Sequence, residues 1–143
     1  MKFKINMMKW AKDLFPVCRS ITGEGNRETI RYIRENINKK FVLKKFKSKS
    51  KFFDWQTPLE WKINEAYIEN SRGKRICDFK KNNLHVVNYS VPINKVMNFK
   101  KLDKHLHTLK DKPNSIPYVT SYYKKNWGFC LKYNEYKKLN KKE

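Results

Sequence analysis

The apolar periodicity of this chain changes near residue 40, and that change sets its fold class. Upstream, Met8, Ala11 and Phe15 fall on one face at helical spacing with Leu14 beside them, and Ile30, Ile33 and Ile37 do the same. The spacing predicts helices over 5–15 and 26–37. Pro16 stops the first. Asn26 is placed to cap the second, with Glu28 in its first turn near the positive end of the dipole. Downstream, short aromatic and β-branched runs separated by turn residues predict extended segments at 41–46, 52–56, 65–68, 75–79, 84–89, 118–123 and 127–131. Asn70-Ser71-Arg72-Gly73 reads as a hairpin turn, and residues 124–126 are expected to join the last two segments as another. Leu102, Leu106 and Leu109 suggest one short helix, capped by Asn98. The class is α+β: two N-terminal helices followed by a mostly antiparallel β domain with one short inserted helix.

At 143 residues the chain is long enough to build a core without disulfides. Its 15% aromatic content is far from that of a disordered chain. The net charge of +21 raises nucleic acid as a partner. Only six of the 34 basic residues are Arg, however, at 19, 27, 31, 34, 72 and 75. Arg specifies phosphate and base contacts better than Lys, so nucleic acid is not the expected partner. Most of the Lys reads as solvated surface, with a basic binding face as the alternative. Cys18, Cys77 and Cys130 form no CxxC pair, which excludes a zinc ribbon and suits reduced thiols in a cytoplasmic protein. Lys2, Lys4, Lys9 and Lys12 interrupt any signal-peptide run. No stretch approaches the roughly 20 apolar residues of a membrane span, so no membrane partner is expected.

No catalytic set is visible from residue types and spacing. His105 and His107 are two apart and point different ways on a helix, and His85 lies in a strand pattern. No HExxH occurs. Cys18 sits beside Arg19, which can lower a thiol pKa, but no histidine is near it in sequence. Asp54, Asp78, Asp103 and Asp111 are scattered. The segment Arg19-Ser20-Ile21-Thr22-Gly23-Glu24-Gly25-Asn26-Arg27 precedes a helix, where backbone N–H groups can cradle an anion. It is neither a Walker loop nor GxGxxG. Trp55, Trp61, Tyr122, Tyr123, Trp127 and Phe129 can stack on bases or sugars, or can fill a core.

Four longer strings carry more information: LFPVCRSITGEGNRETI (14–30), FFDWQTPLEWKINEAYI (52–68), DFKKNNLHVVNYSVPI (78–93) and IPYVTSYYKKNWGFCL (116–131). In order and spacing they resemble bacterial aminopeptidase-like proteins that carry a domain of unknown function. The resemblance implies a zinc-dependent aminopeptidase with a small β-rich domain inserted into a peptidase-like α/β domain, and a winged-helix-like domain at the C-terminus. Residues 1–40 would be the opening helices of the incomplete peptidase-like domain, and 41–132 the inserted domain. Residues 133–143 would be a basic tail or the start of the return. The family's metal ligands lie downstream of the WGFC string. The resemblance therefore implies an N-terminal portion with no catalytic residue, metal ligand or cofactor of its own, inactive alone, although zinc is expected for the complete protein. Its partner would be the missing peptidase domain or another protomer. The alternative is a basic module that docks a polyanion or a protein. Arg19, Ser20, Gly23, Gly25 and Arg27 are candidates to meet a substrate carboxylate or oxyanion. Tyr122, Tyr123 and Trp127 are candidates to wall a cleft. Packing and turn formation are the competing roles for both groups.

Overall fold

The structure is a computed structural model that describes residues 7–37, 40 and 42–139. The predicted first residues of the opening helix and position 41 lie outside these. The fold is α+β and divides into two compact units, one ending at Lys62 and the other beginning at Ile63. No helix among the described residues is long and apolar enough to cross a membrane.

The first unit opens with α1 (Met7–Leu14) and α2 (Glu24–Asn36). Backbone bonds from Phe15 N–H to Ala11 and from Val17 N–H to Leu14 close α1 around Pro16. Asp13 accepts from Lys9 one turn back and from the Tyr32 hydroxyl of α2, both at 2.5 Å. The start of α2 differs from expectation. Gly23, at φ 103, takes the N-cap position, and Asn26 lies inside the helix. Asn26 Nδ2 instead donates back to the Ser20 carbonyl (2.5 Å). The acid of the first turn is Glu24, not Glu28. A non-glycine residue is disfavoured at that φ, so Gly23 fixes where the helix begins.

The unit closes with a tight hairpin of β1 (Lys51–Phe52) and β2 (Trp55–Gln56), paired Lys51↔Gln56 and Phe52↔Trp55. Residues 52–56 are therefore not one extended run, because Phe53 and Asp54 reverse the chain. Below the hairpin, Lys49 N–H bonds to Thr57 O and Thr57 N–H to Ser50 O, each at 2.9 Å. Residues 42–46, expected as a strand, form none.

The second unit begins with the expected hairpin. β3 (Ile68–Glu69) pairs antiparallel with β4 (Arg75–Ile76). The Asn70 side chain accepts from the N–H groups of Arg72 and Lys74, and Gly73 supplies the φ of 72 that the turn needs. Glu69 and Arg75 pair across the ladder at 3.0 Å, and the Arg75 guanidinium lies 3.7 Å from the Tyr67 ring centre. The segment 84–89 starts as a 3-10 turn, Asn83–His85, capped by the Asn82 side chain, and becomes extended only from Val86.

α3 (Phe99–Leu102) is capped by Asn98, whose side chain accepts from Lys101 N–H. It runs through a 3-10 turn, Asp103–His105, into β5 (Leu106–His107). Leu106 therefore leaves the helix that its spacing predicts. β6 (Phe129–Cys130) pairs parallel with β5, Leu106↔Phe129 and His107↔Cys130. Segments 118–123 and 127–131 do not form the expected hairpin. Val86 bridges Phe129, and Asn88 bridges Thr120. Around this crossing lies the apolar core: Cys77, Val86, Val87, Phe129, Cys130 and Leu131, with Val87 at 2% and Leu131 at 1% exposure. Each fully buried Val or Leu contributes about 1.5–3 kcal/mol, which makes the crossing the main source of stability in the unit. α4 (Tyr133–Tyr136) follows, its Tyr136 hydroxyl donating to Asp103 (2.7 Å).

Candidate functional site

The first candidate group lies at the N-terminus of α2, and two glycines let the chain fold tightly there. A Cβ on Gly25 would lie 2.0 Å from the Cys18 carbonyl oxygen, and one on Gly23 would lie 3.1 Å from the Trp61 carbonyl oxygen. The helix start is thus wrapped by the loop before it and flanked by residues 59–61. Thr22 Oγ1 donates to Leu59 O (3.3 Å), and Thr29 Oγ1 to Gly25 O (2.8 Å). Arg27 grips Glu60 with two nitrogens, at 2.6 and 3.1 Å, and Glu24 with a third, at 2.6 Å. Hydrogen bonding to Arg27 holds the Glu60 carboxyl below its usual range, and Arg27 followed by Arg31 does the same for Glu24.

The electrostatic result is specific. Arg27 carries a charge already met by two carboxylates, and it works here as a clasp. Arg19 is exposed and is the cation that this loop presents to solvent. Ser20 is buried at 4% exposure, and its hydroxyl has no hydrogen-bond partner among the described residues. Burial raises the Cys18 thiol pKa, against a smaller opposing pull from the Ser20 backbone N–H. That is the reverse of the activation its Arg neighbour suggested.

The second group lies in the other unit and is split. Tyr122 meets Tyr89 and Tyr123 edge-to-face, at 5.1 and 4.7 Å. Trp127 instead stacks on His105, centroids 3.7 Å apart and planes at 14°, with Phe129 edge-on at 6.4 Å. His105 Nδ1–H donates to the Trp127 carbonyl (3.0 Å), which locks that stack. Beside it is a hollow of about 390 Å³ bordered by Lys95, Lys101, Lys104 and the exposed Val96. Sequence reasoning missed this hollow. The i, i+3 spacing of Lys101 and Lys104 was its only trace.

Among the described residues the histidines and cysteines are engaged in packing and backbone contacts. His85 Nδ1 is bonded to the Cys130 carbonyl (2.8 Å), and His105 is held in its stack. Burial, and then the nearby His105, lowers the His107 pKa. Burial pushes the Cys77 and Cys130 thiols up to about 12. Among the described residues no group of three or more His, Cys, Asp or Glu could hold a metal ion.

Three comparisons place the chain among known proteins. The chain is 49% identical over 128 residues to a Clostridium acetobutylicum protein, provisionally named a polysaccharide biosynthesis protein with an aminopeptidase-like domain. The match takes in 90% of this chain and 29% of that protein. A crystal structure from the same organism, provisionally named a peptidase, superposes with a TM-score of 0.87 at 48% identity, over 92% of this chain and 31% of its own. The chain thus spans about 30% of the length of each relative. Residues 60–143, more than half of the chain, match the family described as a domain of unknown function (DUF2172), and the chain belongs to that family.

Proposed function

We propose that this chain is the accessory portion of an aminopeptidase-like zinc hydrolase, inactive by itself, which shapes the approach to a catalytic centre whose metal ligands lie in another part of the protein. The observation that carries the reading is the 49% identity across 90% of this chain to a protein whose name includes an aminopeptidase-like domain, of which the match takes in only 29%. When bound, zinc would polarise the scissile carbonyl and activate water. This chain's residues take no part in that step. Arg19 offers an exposed guanidinium for a substrate carboxylate. Gly23 and Gly25 set the backbone that presents it, Ser20 packs beneath, and Arg27 clasps the loop. Tyr122, Tyr123 and Trp127 supply aromatic wall.

The test is direct. The purified chain is supplied with zinc and an aminoacyl arylamide, and the full-length Clostridium relative is assayed alongside. The expected outcome is turnover by the relative, and neither turnover nor stoichiometric zinc binding by the chain. Zinc-dependent turnover by the chain alone would falsify the division of labour, and an inert relative would remove the enzyme reading. Replacing the position that aligns with Arg19 by Ala should weaken substrate binding in the relative. Unchanged kcat and KM would exclude that role.

A second reading rests on the net charge of +21. A polyanion-binding module would lose affinity steeply with salt. Heparin retention that persists at moderate salt, with a slope of several released ions, would favour it over the accessory role.

A further inference from the structure

The first unit has no buried apolar side chain among its described residues; only Ser20 and Gly23 are buried there. Of the fifteen exposed large hydrophobic residues among those described, eleven belong to it, from Met7, Met8 and Phe15 on the first helix and its end to Leu59. Single exposed apolar residues are ordinary. A contiguous aromatic patch is not. Such a patch stands on the β1–β2 hairpin and the segment leading to it. Phe46 packs edge-on against Phe52 at 5.4 Å, and Phe52 stacks on Trp55 at 5.6 Å. Phe46 stays 64% exposed and Trp55 53%.

Phe53 sharpens the point. It stands in the two-residue turn at φ 54 and is fully exposed. The first position of such a turn favours glycine, and a bulky residue there is disfavoured. Among the described residues no ring contact compensates for an aromatic side chain at that place. Strained exposed residues of this kind point to use by something outside the chain.

Charge narrows the occupant. Lys44, Lys45, Lys47, Lys49 and Lys51 accompany the aromatic residues, and Asp54 is the only acid between 42 and 56. These lysines make no ion pair among the described residues. A second copy meeting this face symmetrically would set lysines against lysines, which opposes association.

We infer that the hairpin around Phe46, Phe52, Phe53 and Trp55 is a docking face for the remaining body of the aminopeptidase-like protein, through an apolar patch edged with carboxylates. The inference rests on the reading above, because the occupant is the part of the relatives that this chain does not span, about 70% of their length.

Amide hydrogen exchange on the intact chain and on the full-length Clostridium acetobutylicum relative tests it. Amides of 42–56 should exchange at least about tenfold faster in the chain than the matching amides in the relative. Amides of 86–88 and 129–131 should differ little. Equal exchange at the hairpin in both proteins overturns the inference. So does hairpin protection that appears in the chain on concentration with a sedimenting dimer, which gives the face to a second copy. Protection by phosphatidylglycerol vesicles, with the relative's hairpin still open, overturns it in favour of a lipid surface. Phe53→Ser should leave the chain's own melting temperature unchanged, and a fall of several degrees would mean that Phe53 packs internally. A protected hairpin in a catalytically inert relative keeps the docking face and loses the enzyme, whereas an unprotected hairpin in an active relative does the reverse.

Discussion

Gly128 lies where β6 passes under the turn that follows α3, and a methyl group there has no room. A Cβ would stand 2.9 Å from the His105 carbonyl oxygen, 3.0 Å from Val87 Cγ2 and 3.1 Å from His107 Nε2, against an ordinary contact of 3.4–4 Å. The two nearest neighbours have little room to yield. Val87 is 2% exposed, and its N–H bonds to the Gly128 carbonyl at 3.0 Å. The His105 carbonyl ends a 3-10 turn, and His107 is in β5. Overpacking of this kind costs about 1–3 kcal/mol, while Gly→Ala recovers ~0.4–1 kcal/mol by restricting the unfolded chain. Gly128→Ala should therefore lose roughly 1–2 kcal/mol, which for a unit of this size lowers the melting temperature by about 5–15 °C. Trp127 is the adjacent residue, so its fluorescence during heating reports the transition. Gly73 provides the contrast, with φ 72 and nothing within 4 Å of a Cβ. Its need is conformational, so Gly73→Asn should be nearly neutral, because Asn tolerates that region. Gly128→Asn should be worse than Gly128→Ala. A Gly128→Ala melting point within about 2 °C of the parent would refute the steric argument.

Three further outcomes follow from the titrating groups. At pH 8 the buried Cys77 and Cys130 thiols, pushed up to about 12, are almost wholly protonated, so Ellman's reagent should label half-exposed Cys18 first and the other two only in denaturant; equal native rates would contradict this. His107 has a folded pKa below its ordinary 6.5, so its contribution to stability is full above that pH and is lost as pH falls through the folded value. Urea midpoints should accordingly drop on acidification, and His107→Gln should flatten that slope. Glu24 and Glu60 are depressed from 4.5 by Arg27, so their clasp is intact above that value and is lost as pH falls through the depressed pKa values. Arg27→Gln should speed amide exchange at the start of α2 at neutral pH, and exchange identical to the parent would show that the clasp is dispensable.

What could be read from sequence follows the reach of the interactions involved. The Asn98 cap and the turn at 70–73 were legible because each is made by side chains within four residues of the backbone they hold. The start of α2 was not. Asn26 is a good cap residue by type, but the helix begins at Gly23 under constraints from Cys18 and Trp61, which local spacing does not reveal. Leu102, Leu106 and Leu109 do share a helical period. Leu106 is nonetheless taken by a parallel pairing with Phe129, and that non-local ladder displaces the helix and the expected 118–131 hairpin together. The density of Arg, Ser and Gly at 19–27 marked a real structural knot. Its electrostatics depend on Glu60, 33 residues away from Arg27.

The uneven distribution of core has an energetic consequence. Among the described residues the second unit buries Cys77, Val86, Val87, Phe129, Cys130 and Leu131 around one crossing, and the first buries no apolar side chain. A helix of 8 residues such as α1 is far below the length at which a helix stands alone in water, about 12–15 residues even for favourable sequences. The ion pairs that support α1 and α2 are exposed, so solvent screens them and they add little. Order in the first unit is therefore weakly held, and anything that covers its apolar faces adds its binding free energy directly to that order. In the chain alone, amide protection should be greatest at 86–88 and 129–131, intermediate at the 68–76 hairpin, and least in α1, as native-state hydrogen exchange can establish. If α1 or α2 were the most protected elements, the apolar exposure of the first unit would be irrelevant to its stability, and the case for a covering partner would fall with it.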